Sequence, residues 1–234
     1  MLKRYMHSRE RHFAMLNDNR VVRPFEWGTE YITDNPNGRD PRELFSEYAH
    51  HTVEHSDEFF FLPEIEDFKL DQKSSPPYEG EVDAALGGRG GSLSPERQIL
   101  TWTSSITTAS PENNTAVATY FPHETNKKAA VVVLPHWNAK AGTYFDLCKF
   151  FNKVGLSALR LTLPYHEERM PPELERADYL VAPNVGRTLQ SLRQSVVDSR
   201  AAVRWLKQQG YEKVGIVGTS IGSCVGSFAV VHDM

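Results

Sequence analysis

The chain of 234 residues holds only two cysteines, Cys148 and Cys224, far apart in sequence. That scarcity excludes a disulfide scaffold and a cysteine-based zinc finger. Long apolar runs are also missing. No stretch reaches the roughly eighteen residues a transmembrane helix needs, so none is expected. The segment Met1 to Arg11 is basic but has no apolar core, so it is not a secretory signal, and a cytoplasmic location is the expectation. Neither sign of charge dominates: 26 Lys and Arg stand against 30 Asp and Glu, a formal charge of -4. Over the whole chain this gives no electrostatic case for nucleic acid or an anionic membrane as partner. What remains is an ordinary globular balance, 40% hydrophobic and 24% charged, with enough length for a core.

The two halves differ in texture. Residues 1–97 are polar, rich in His, Pro and Gly, and weakly periodic, which makes them an N-terminal extension that packs on the rest or covers its site. Within them the residues predict one helix. Asp40 is its cap, Pro41 its tolerated first-turn proline, and Glu43 stands at capping-box spacing. Leu44, Tyr48, His51 and His55 share a face of that helix. Phe59 to Pro63 is expected to pack on the main body. Gln72 to Leu93, with its Pro-Pro and Gly-Gly pairs, reads as a linker.

From Gln98 onward, apolar runs alternate with amphipathic stretches. Ile99–Thr107 and Thr115–Phe121 read as two strands joined by a turn at Pro111 to Asn114. Ala129–Leu134 is apolar throughout, as in a strand covered on both faces. A helix over Tyr144–Val154 stops at Gly155, and Leu156–Leu163 is the next strand. A long helix spans Gly186–Gln209, with Leu189, Leu192, Val196, Val203 and Leu206 as its stripe and Gly210 closing it. Val214–Val217 reads as a third buried strand. The alternation predicts an α/β fold, a mostly parallel sheet with helices on both faces.

That last strand runs into Gly218-Thr219-Ser220-Ile221-Gly222 and then a helix of small residues. G-x-S-x-G between strand and helix is the pattern of a nucleophile elbow. A serine there needs a strained backbone to hold its hydroxyl clear of the sheet. Gly218 and Gly222 leave out side chains that would collide with the neighbouring strand and helix. The Ile221 amide, at a helix N-terminus, points where an oxyanion would form.

The stretch from Gln98 to the end resembles the α/β-hydrolase superfamily, in particular its dienelactone-hydrolase and prolyl-oligopeptidase-like esterase branches. Val131 to Asn138 resembles the strand and His-Gly loop that supplies a second oxyanion amide. Leu161 to Arg169 resembles the loop after the next strand, and Asp198 to Leu206 the helix before the elbow. The resemblance implies a serine hydrolase acting on an ester, thioester or amide carbonyl through an acyl-enzyme, with no cofactor and no metal. By position, Trp137 or Asn138 gives the second oxyanion amide. His136 and His166 would lie near the mouth of the site, as loop-stabilising residues rather than catalytic ones. Trp137 replaces the usual glycine after the loop histidine, and Tyr165-His166-Glu167 replaces a Gly-His-Gly, so both loops depart from the family's pattern.

In this family the acid and base follow the serine. Downstream of Ser220 only His232 and Asp233 qualify, and twelve helical residues place His232 about 18 Å away. The expectation is therefore an inactive fragment that lacks the later strands of the fold. Two other readings compete. One is a non-catalytic binding module on the same sheet. The other is a zinc hydrolase, because His51-Thr52-Val53-Glu54-His55 matches H-x-x-E-H, with Glu64, Glu66 or Asp67 as further ligand.

Overall fold

The computed structural model describes residues 2–15, 23–36, 38–71, 97–125 and 128–233. The linker read at Gln72–Leu93 lies outside the described residues. Among the described residues six strands form one mixed sheet: β1 (Lys69–Asp71), β2 (Gln98–Thr103), β3 (Thr115–Phe121), β4 (Ala129–Leu134), β5 (Ser157–Thr162) and β6 (Lys213–Gly218). Their order across the sheet is β1-β2-β3-β5-β4-β6. The β5-β4-β6 part is parallel, as the alternation with helices requires, while β1, β2 and β3 join it antiparallel. A hairpin connection suffices for β2 and β3, so no crossover helix is needed there.

Helices cover both faces. On one, α4 (Phe145–Lys153) packs Phe145 and Cys148 against Phe121, Val131, Val133 and Ala158. On the other, α5 (Val185–Gln208) and α6 (Ile221–Val231) pack on Leu100, Val132, Leu134 and Leu161. The Cys148 thiol is pushed up to about 12 by burial, so it is an inert core residue.

Two strand readings need correction. Ile99–Thr107 ends at Thr103, because Ser104 leaves the ladder and Thr108 is held by the Asn114 side chain through its amide at 2.8 Å and its hydroxyl at 2.9 Å. Val214–Val217 is not buried. It alternates between exposed and half-buried, and Val217 is 37% exposed. Its apolar sequence resembles that of a covered strand, but β4 is its only neighbour among the described residues.

In the first half, α1 (Leu2–Met15), α2 (Pro41–Glu54) and α3 (Ser56–Phe59) are present. Asp40 caps α2 by accepting from the Arg42 amide at 2.9 Å, an interaction worth about 1 kcal/mol. Beyond α3 the chain lies along α5. Arg193 donates to the Phe59 carbonyl at 2.5 Å, Arg200 to that of Phe60, and Arg204 to those of Pro63 and Leu62. These charge-assisted bonds seat Phe60, Leu62 and Ile65 in the main core.

One polar network lies wholly inside. The Arg169 guanidinium sits 2.9 Å from the Asp198 carboxylate, the side chains 0% and 1% exposed. Ser104 donates to Asp198 at 2.8 Å, and Gln194 donates to Ser104 at 3.0 Å. Asn113 donates to Gln194 at 2.7 Å and accepts from the Tyr165 amide at 3.0 Å. Arg169 also donates to the carbonyls of Thr162 and Asn113. Burial pushes the Asp198 carboxyl up, and Arg169 pulls it back.

Removing one partner of a buried pair strands the other charge. Asp198→Ala should therefore cost about 3–5 kcal/mol in urea unfolding. Glu47→Ala, which breaks the exposed Arg39–Glu47 pair, should leave the midpoint unchanged. Equal shifts for the two variants would contradict this assignment.

Candidate active site

Among the described residues, five that are not glycine have positive φ: Asn138, Tyr144, Tyr165, Glu167 and Ser220. All five lie in the connections that follow β4, β5 and β6. Each such backbone costs about 1–3 kcal/mol and persists only where its surroundings impose it. Open α/β sheets bind their ligands at this same edge.

Ser220 stands between β6 and α6 at φ 55 and ψ -121. The flanking glycines are sterically required. A Cβ on Gly218 would sit 2.2 Å from the Gly222 carbonyl oxygen. A Cβ on Gly222 would sit 2.5 Å from the Leu134 oxygen and 2.7 Å from that of Pro135. The elbow is thus wedged against the end of β4, and the Thr219 amide bonds the Leu134 carbonyl at 3.1 Å. Ser220 is exposed, and Ile221 opens α6 with an amide that has no partner within the helix.

The wedge brings the loop after β4 beside the elbow. His136 bonds the Tyr144 hydroxyl through Nδ1 at 2.7 Å. Trp137 donates through Nε1 to the Ala177 carbonyl at 2.8 Å, with the Arg176 guanidinium 5.1 Å above its ring. The Asn138 side chain accepts from the Ala177 amide at 2.8 Å. The Asn138 backbone amide is already committed, donating to His166 Nε2 at 2.9 Å.

That bond defines His166. Its Nδ1 lies 2.9 Å from the Pro164 carbonyl and donates to it, while Nε2 accepts. Only the neutral ring can do both. Burial, aided by the charges of Arg160 and Arg169, lowers its pKa to about 4 against the Pro164 bond. The next residue, Glu167, is gripped by Arg160 through two bonds of 2.5 and 3.0 Å, and Arg160 also donates to the Thr143 carbonyl. Burial raises the Glu167 carboxyl and Arg160 lowers it. Nothing in the sequence marks this clamp beyond a charged residue in an apolar strand.

Among the described residues no hydrogen bond reaches Ser220 Oγ. The chain does not break after the elbow: α6 continues to Val231, and His232 bonds Asp57 at 2.8 Å at the far end. Asp233 pairs with Arg200 there. An apolar cleft of about 770 Å³ opens between α2, α3, α5 and α6, lined by Phe45, Tyr48, Phe59, Leu192, Cys224 and Phe228 among others. It includes none of Ser220, His136, Trp137 or His166, so it lies beside the elbow helix rather than at the elbow. His51 and His55 stack with centroids 4.5 Å apart on the exposed face of α2. Among the described residues no group of three His, Cys, Asp or Glu side chains could hold a metal, so the zinc reading lacks its third ligand. No helix of the described residues is long and apolar enough to cross a membrane.

No protein-family model matches the chain, and no curated protein sequence does either. Solved structures do. A Bacteroides fragilis protein assigned as an acetyl xylan esterase matches over 94% of this chain at 14% identity, with a TM-score of 0.52. Acetyl xylan esterase 1 from a Thermoanaerobacterium species matches over 91% at 15% identity and a TM-score of 0.47. A cold-adapted esterase from an Arctic intertidal metagenomic library matches over 63% at 18% identity and 0.46. The chain spans 60%, 61% and 60% of those structures, respectively. The Bacteroides likeness shows the fold, a partial α/β-hydrolase fold with helices on both faces of a mixed sheet.

The lowered pKa of His166 fixes a pH dependence. An unfolded histidine titrates near 6.5 and the folded one near 4, so the unfolded chain takes the proton first. The contribution is full above about pH 6.5 and is lost as pH falls toward 4, by up to about 3 kcal/mol. Denaturant unfolding across that window should show the loss, and His166→Gln should flatten it. An unchanged slope in the variant would contradict the assignment.

Proposed function

We propose that the chain carries the nucleophile half of a serine hydrolase site. Ser220 attacks an ester, thioester or amide carbonyl, a base takes its proton, and the leaving group departs from an acyl-enzyme that water then cleaves. The Ile221 amide holds one side of the oxyanion. Since the Asn138 amide is spent on His166, the Trp137 amide is the second donor in this reading. In this reading His166, the Arg160–Glu167 clamp and His136 hold the loops around it.

The observation that carries the proposal is the strained backbone of Ser220, held between two glycines with no room for a side chain. A binding module has no use for that strain, which favours catalysis over the non-catalytic reading. The shared fold with a protein assigned as an acetyl xylan esterase supports an ester as substrate. In this reading residues 98–234 are the N-terminal part of the hydrolase domain, and residues 1–97 are an extension packed on it. The base and acid come from chain beyond these 234 residues, and the fragment by itself is inactive. The absence of a partner for Ser220 Oγ among the described residues, and the 60% span of the Bacteroides structure, support this.

Short-chain p-nitrophenyl esters test the proposal. The 234-residue chain should give no turnover that depends on Ser220. A longer gene product with a downstream acid and histidine should turn over, and Ser220→Ala should lower its kcat by at least about ten-thousandfold without loss of fold. Retained turnover in that variant would overturn the nucleophile assignment.

A further inference from the structure

The apolar cleft between α2, α3, α5 and α6 takes no part in the proposed chemistry. Its volume of about 770 Å³ falls within the range of small-molecule sites, about 300–1,000 Å³. Its walls are mainly apolar. Leu192 and Val196 come from α5, Val225 and Phe228 from α6, and the Phe60 ring lies 5.6 Å from that of Phe228.

One charge is set into these walls. Arg193 is the only charged residue among those that line the cleft. Its guanidinium lies 4.7 Å over the Phe59 ring, and its Nε donates to the Phe59 carbonyl. Among the described residues no carboxylate pairs with it, and its two Nη groups form no hydrogen bond. Tyr48 brings its ring to the other side of the same contact, with centroids of Tyr48 and Phe59 5.9 Å apart. Burial raises the Tyr48 hydroxyl, and the charge of Arg193 draws it back down. Thr52 stands one turn after Tyr48 on α2, and its Oγ1 is shut off from solvent with no partner among the described residues.

Polar groups left unpaired in apolar surroundings cost free energy, so a ligand with an acceptor head and an apolar body matches this cleft best. One guanidinium balances one negative charge, and its paired N–H groups fit the two oxygens of a carboxylate. A phosphate monoester would bring nearly two charges to a single cation. We propose that the cleft binds an aliphatic monocarboxylate, its carboxylate on Arg193 with Tyr48 and Thr52 as further donors, its chain along Phe60, Val196 and Phe228. The site is separate from Ser220 and does not rest on the hydrolase reading.

Titration calorimetry of the 234-residue chain with decanoate, dodecanoate and 1-decanol tests this. Both acids should bind saturably. Each buried methylene is worth about fourfold, so dodecanoate should bind more tightly than decanoate. An apolar cleft alone prefers the alcohol, whose head is cheaper to desolvate than a carboxylate. Arg193 should reverse that order, with decanoate at least about tenfold tighter than 1-decanol. Arg193→Gln keeps an amide that can reach the Phe59 carbonyl and should restore the preference for the alcohol. Ala49→Trp puts a bulky side chain at an exposed position of the cleft wall and should weaken all three ligands. Circular dichroism should show both variants folded, and if Arg193→Gln does not fold, the order of decanoate and 1-decanol in the parent still decides. No saturable binding, 1-decanol bound as tightly as decanoate by the parent, an unchanged order in folded Arg193→Gln, or unchanged affinity in Ala49→Trp would overturn the proposal. Dimerisation that Ala49→Trp abolishes, with no decanoate binding, would assign the cleft to a second copy of the chain instead.

Discussion

A guanidinium and a carboxylate removed from solvent set the positions of three separate segments of this chain. Arg169 comes from the loop after β5, Asp198 from the middle of α5, and the Asn113 carbonyl that Arg169 also binds from the turn between β2 and β3. Taking two charges out of water costs several kcal/mol each, so the pair holds only while its neighbours supply the missing hydrogen bonds. Ser104, Gln194 and Asn113 are those neighbours, and each comes from one of the segments the network joins. The loop after β5 therefore has little freedom. Its next bond, donated by the Asn138 amide to His166, passes that rigidity to the loop after β4.

The consequence appears at the C-terminal edge of the sheet. Three loops there hold residues in backbone conformations they would not choose, and the elbow is one of them. Gly222 rests against the carbonyls of Leu134 and Pro135, so the serine and the loop after β4 are set against each other by backbone contact. In the proposed reading the serine hydroxyl and the oxyanion amides must be held in place before substrate arrives, because reorganisation during reaction would cost part of the stabilisation. The buried network and the glycine wedge both act toward that end.

Much of the fold was legible because local signals agreed. Ala129–Leu134 and Thr115–Phe121 read as strands and are strands residue for residue. Asp40 and Pro41 mark the start of α2, and the elbow follows from one motif in its strand-to-helix context. Other features were not legible, for physical reasons. The apolar sequence of β6 cannot report how many neighbours the strand has, so Val217 reads as core and lies at an edge. The stripe on α5 names Val196, Val203 and Leu206, but the helix also buries Gln194 and Asp198, whose partners come from distant segments, and Ser191, Ser195 and Ser199, which donate to carbonyls one turn earlier in the helix. Arg193, Arg200 and Arg204 lie outside that stripe and bind the carbonyls of Phe59, Phe60, Leu62 and Pro63. Polar residues with remote partners carry no periodic signature, and most of the site is built from them.

In the proposed chemistry Ser220 forms a covalent bond with substrate. The most direct test is exposure of the full gene product to a fluorophosphonate, followed by peptide mapping by mass spectrometry. The expected result is one label per chain, on the peptide that holds Gly218 to Gly222, and on Ser220 within it. A label on any other residue, or equal labelling of the Ser220→Ala protein, would contradict it.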